Sequence, residues 1–235
     1  MCFSATASFT GDTGILVIGA IAIQQSRNIP QKIFACIPLV FAVQQLCEGV
    51  LWLSFSDPNF VRWHNVSMYT FLVFAQCLWP ILVPFSMLLF EKEKGRRKIL
   101  LILFTVGLFT AIYLCACLLN FPVLAYVYGH HIKYELGFPC GLKLVTDITY
   151  MAAAVLSPFV SSIKKVRLFG WMLLGSYILT SLLYETYLAS VWCFFAAILS
   201  LVIVIIIRGL VKESDATKIS ISGLNSLKYW KKFPQ

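Results

Sequence analysis

The nine residues QQLCEGVLW, Gln44 to Trp52, sit inside an apolar run of about 23 residues, 33–55. Roughly 20 apolar residues suffice to cross a bilayer as a helix. This run nevertheless carries Gln44, Gln45 and Glu48. An ionisable side chain at membrane depth costs at least ~2.5 kcal/mol and more if it faces lipid. On a helix Gln44 and Glu48 are four apart, Gln45 and Glu48 three apart, and Trp52 lies one turn further on. They make one polar stripe, which has to face protein or a wet cavity.

The whole chain follows the same pattern. It has 235 residues, 60% hydrophobic and 12% charged, with a mean hydropathy of +0.84. A soluble domain carries about 25% charged residues, so the composition predicts a polytopic membrane protein. Seven spans follow from the apolar runs, at 13–24, 33–55, 68–90, 99–119, 144–162, 168–187 and 188–207. The first is the weakest, and a start at Ala5 would bring Asp12 into the membrane. Pro80 and Pro84 in the third predict a kinked helix packed among neighbours. The segment 120–143 reads as the longest loop. The predicted organisation is one all-α transmembrane domain, 1–208, and a basic tail, 209–235.

The net charge of +9 looks like a nucleic-acid signature until the charges are placed. The first, third and fifth loops and the tail carry 16 of the 19 Lys and Arg residues. Cytoplasmic loops concentrate Lys and Arg, so this bias puts the N-terminus outside and the C-terminus in the cytoplasm. The charge is then a topology signal with affinity for anionic lipid, and the expected partner is the bilayer, not nucleic acid. The same map puts six of the ten acids and all three His residues in the outer half or outer loops. Among them are Asp12, Glu48, Asp147 and Glu185.

The stretches MCFSATASF (Met1–Phe9), QLCEGVLW (Gln45–Trp52), LWPILVP (Leu78–Pro84) and SVWCFFAA (Ser190–Ala197) resemble an uncharacterised, mainly bacterial membrane-protein family. Its members typically begin with MCFSATASF or a close variant. The resemblance extends to about Arg208. It implies a multi-span integral membrane protein, in the bacterial inner membrane, and carries over no catalytic residue. Pro30-Gln31 also gives a superficial likeness to seven-span PQ-loop transporters. That dipeptide falls in a cytoplasmic loop and no second copy appears near the fifth span.

The candidate binding residues are Gln44, Gln45, Glu48, Gln76, Asp147 and Glu185. Glu48 would exchange a proton or hold a cation, and the amides would orient a small polar or cationic ligand. That makes a small transporter, permease or ligand sensor the leading expectation, with no cofactor. The bland reading of the amides is an interhelical hydrogen-bond cluster. Asp147 and Glu185 lie near span ends, where water can solvate them. An alternative is an intramembrane metal-dependent lipid hydrolase, with His130 and His131 converging with Glu48 and Asp147 on zinc, since imidazole and carboxylate are zinc donors. Alkaline-ceramidase-type hydrolases also have seven spans, but they need several His residues on helices. Here all three fall in loops. A third alternative is a structural or assembly protein. Lys is absent from the last span, so a retinal Schiff base has no attachment point there. Most of the eight cysteines fall in spans as small packing residues. Cys2 and Cys140 both fall outside, where a disulfide is chemically feasible.

Overall fold

A computed structural model describes residues 5–129, 131–184, 195–213 and 215. Seven long helices run through them: α1 (Ala5–Gln25), α2 (Ile29–Ser56), α3 (Pro58–Phe90), α4 (Lys94–Asn120), α5 (Cys140–Val160), α6 (Lys164–Tyr184) and α7 (Phe195–Glu213). Five of them, α2 to α5 and α7, are long and apolar enough to cross a membrane. Large apolar side chains on α4 stay uncovered, including Ile102, Phe109, Ile112 and Leu119. In water such a surface would be a contiguous sticky patch; against lipid chains it is matched.

Three boundaries differ from the sequence reading. The first helix begins at Ala5, not near residue 13, so Asp12 lies well inside it. The hydroxyls of its polar start are satisfied within the helix, Thr10 donating to the Thr6 carbonyl and Thr13 to that of Phe9. The segment 120–143 is not all loop. Its β-branched and aromatic residues alternate, and β1 (Val123–Tyr128) pairs antiparallel with β2 (His131–Leu136). The turn uses Gly129 at φ 61°, a left-handed conformation that glycine adopts without penalty. The expected all-α fold is therefore helical with one hairpin among the described residues. Finally, α7 runs on to Glu213, into the expected tail, and its expected start at 188–194 lies outside the described residues.

Proline shapes the middle of the bundle. It cannot donate to the carbonyl four residues back and its ring pushes that carbonyl aside. Upstream of Pro80 the backbone of α3 widens into a π-helical turn, Val73–Leu78. Upstream of Pro158 the backbone of α5 does the same at Ala152–Leu156. Carbonyls near these turns are satisfied by side chains: the Tyr150 hydroxyl donates to the Ala75 carbonyl at 2.7 Å, and Ser157 donates to that of Ala153. Such bulges occur frequently at functional sites. Next to them α4 presses close through Gly107, where a Cβ would overlap the Pro80 carbonyl oxygen.

The loops expected on one side of a membrane do meet at one end. Arg27 pairs with Asp215, Lys165 with Glu213 at 2.7 Å, and Arg96 donates to the Val160 carbonyl at 3.2 Å. Buried Glu91 is the fastener of this basic end. One carboxyl oxygen accepts the backbone N–H groups of Lys92 and Glu93 at 3.0 Å each, and the other accepts that of Ser162 at 2.7 Å. Burial alone would raise its pKa. The N–H donors of Glu93, Ser162 and Lys92 outweigh that and hold it below the ordinary glutamate value. The hairpin lies at the opposite end.

Candidate functional site

A cavity of about 410 Å³ opens between α2, α3, α5 and α6, with β2 across it. Three polar residues expected on three different spans line it: Gln44 from α2, Gln76 from α3 and Asp147 from α5. Gln76 belongs to the π-helical turn ahead of Pro80. Gln44 is buried, and its side-chain oxygen accepts the indole N–H of Trp79 at 2.9 Å. Phe41 stacks on that indole, ring centroids 4.1 Å apart. The Tyr150 bond to Ala75 ties α5 to α3 beside Gln76.

The hairpin contributes alternate residues of β2, Ile132, Tyr134 and Leu136, to the same cavity. Period-two alternation puts these on one face and Lys133 and Glu135 on the other. Tyr134 stacks on Phe71 of α3, centroids 5.0 Å apart and rings 8° from parallel, which seats the strand. On the outer face the Tyr126 hydroxyl and the Lys133 ammonium both donate to the Glu135 carboxyl. The two partners, Tyr126 first, hold its pKa below the ordinary value. Asp147 and Lys143, four apart on exposed turns of α5, bring one charge of each sign to the cavity lining.

The remaining expected residues lie elsewhere. Gln45 and Glu48 are not among the cavity residues; they turn toward α1. The Gln45 amide donates to Glu48 Oε2 at 3.0 Å and lies 3.4 Å from the Ser8 hydroxyl of α1. The single stripe expected along α2 is thus divided between two partners, α3 for Gln44 and α1 for the other two. Glu185 and His130 lie outside the described residues. His131 is in β2. Among the described residues no group of three or more His, Cys, Asp or Glu side chains gathers for a metal. Among the described residues Cys140 is an exposed free thiol, and Cys2, the other cysteine of the feasible disulfide, lies outside them.

Sequence reasoning missed Lys143, Tyr134 and Tyr177 of the cavity, and the pairing of α1 with α2 through Ser8. The signal for the last was present: Ser8, Asp12, Ile15, Gly19 and Ala22 are all buried, at spacings of four and three. That is the seam of a helix packed along one neighbour.

The chain belongs to the family of unknown function DUF6629, which matches it over residues 1–218. No curated protein and no solved structure matches it.

Proposed function

We propose that this family member is a seven-span integral membrane protein, N-terminus outside and C-terminus cytoplasmic, that binds a small polar or cationic molecule in the cavity. Its role on this reading is that of a small transporter, permease or ligand sensor in a bacterial inner membrane. The observation that carries the reading is the convergence of Gln44, Gln76 and Asp147 on one cavity. Its volume falls in the range of about 300–1,000 Å³ typical of small-molecule sites. The walls are aromatic, with Phe41, Trp79, Tyr134, Tyr150 and Tyr177, and suit a cation or an apolar body. Asp147 supplies a counter-charge for an ammonium and Lys143 one for a carboxylate, so a zwitterion of amino-acid size meets both. Sidedness rests on the concentration of Lys and Arg in the loops of the basic end.

The test is a thermal-shift series on the full chain in detergent, against amino acids, polyamines and metal ions across a range of pH. A ligand at 100 times its Kd stabilises the state it binds by about 2.7 kcal/mol. The expected result is stabilisation by an amine-bearing compound in wild type that is lost in Asp147→Asn and weakened in Gln76→Leu. If wild type and both variants respond alike across the panel, the cavity is not a ligand site.

A further inference from the structure

We propose that Asp12 and Glu48, where α1 packs on α2, form a proton-binding site separate from the cavity. The seam of α1 that carries Asp12 faces α2 along its length. Gly19 meets Leu39, Gly49 of α2 meets Phe9, and the Ser8 hydroxyl lies 3.4 Å from the Gln45 amide. Asp12 stands one turn after Ser8 on that seam, within electrostatic reach of the Cys47 thiol, which immediately precedes Glu48. Four polar residues, Ser8, Asp12, Gln45 and Glu48, are each at least nine-tenths buried here, Asp12 being 7% exposed.

Two features point to a proton. Glu48 accepts an N–H from Gln45, which suits it to remain the carboxylate of the pair. The Oδ1 of Asp12 is buried with no hydrogen-bond partner among the described residues. A carboxylate buried without a partner takes up a proton instead of keeping its charge. Among the described residues, the titratable groups that face the site from the packed elements are Cys47 and Glu48 on α2, and α7 brings Ala196 and Ala197 up to Ile15. The cations of these elements, among the described residues, are at the basic end. Arg27 and Arg208, engaged there with Asp215 and Gln25, lie about 20 Å along α1 from Asp12 at 1.5 Å per residue. The amide of Gln45 occupies the space between Glu48 and Ser8, which disfavours a metal ion there. Binding adds one proton to a carboxylate oxygen of Asp12 and takes the pair from two negative charges to one.

The proposal does not rest on ligand binding in the cavity. It is tested by infrared difference spectroscopy of the full chain in lipid nanodiscs, between acidic and alkaline buffer. The expected result is a protonated-carboxyl C=O band in wild type near neutral pH that shifts in deuterated water. The band is lost in Asp12→Asn, displaced in Glu48→Gln, and retained in Asp147→Asn, which separates this site from the cavity. Should Asp12→Asn fail to fold, Asp12→Glu retains the carboxyl and is expected to move the band. A wild-type spectrum without the band, or one that Asp12→Asn and Asp12→Glu leave unchanged, overturns the proposal. So does a chain stabilised by sodium chloride but not by choline chloride in wild type and unresponsive in Asp12→Asn, since the site would then hold a metal cation.

Discussion

Trp79 donates its indole N–H to the side-chain oxygen of Gln44 across 2.9 Å, and so ties α3 to α2 at the wall of the cavity. Both residues are buried, although they line the cavity. Replacing Gln44 with Leu leaves a buried indole N–H without this acceptor, a loss of about 1 kcal/mol or somewhat more. Trp79→Phe removes the donor instead. Thermal unfolding of both single variants and the double variant checks this. The expected cycle is non-additive, with the double variant losing less than the sum of the singles.

Gly107 and Gly14 are both helical glycines, yet they should respond oppositely to alanine. At Gly107 a Cβ would overlap the Pro80 carbonyl oxygen and crowd Ala153, so α4 would have to move away from α3. The expected loss is about 3 kcal/mol, the upper part of the usual overpacking range. At Gly14 nothing lies within 4 Å of the added methyl. There alanine should be neutral or stabilise by up to about 1 kcal/mol, because it restricts the unfolded chain. Side-by-side melts of the two variants in detergent decide it.

Glu91 gives the basic end a pH dependence of definite sign. Its folded pKa is depressed, so its contribution is fully present above the unfolded value, about 4.3 for a free glutamate. The contribution is lost as pH falls through the lower folded value. Wild type should therefore lose stability on acidification below about pH 4.3 more steeply than Glu91→Gln. At neutral pH Glu91→Gln should be less stable by about 2 kcal/mol, the scale of hydrogen bonds to a charged acceptor. Melting temperatures of both proteins from neutral to acidic buffer provide the measurement.

Among the described cysteines Cys140, beside the hairpin, is exposed, whereas Cys77 and Cys117 are buried. If the hairpin end is external, a membrane-impermeant maleimide added to intact cells labels a Cys2→Ser variant and fails to label the Cys2→Ser, Cys140→Ser double variant. Labelling of Cys140 only after the cells are opened would reverse the proposed orientation.

The helices were legible in the sequence because lipid crossing demands long apolar runs, and placing the charges against those runs predicts six acids on one side and 16 cations on the other. Gln44 and Gln76 were legible as candidates for a related reason: a polar side chain inside an apolar run stands out against its surroundings. Their grouping was not. Gln44 and Glu48 are four apart on one helix, yet one turns to Trp79 of α3 and the other shares Gln45 with Ser8 of α1. Spacing along a helix says which residues share a face, but not which neighbour that face meets. The hairpin stayed hidden because strand pairing depends on a partner segment and on one positive-φ glycine. The cavity needed the π-helical turns before Pro80 and Pro158, whose sites proline marks but whose geometry the packing of α3, α4 and α5 sets. Sequence by itself determined the apolar helices and the charge asymmetry between their ends. Only the tertiary structure decided which buried polar groups meet, because that depends on contacts between segments far apart in the chain.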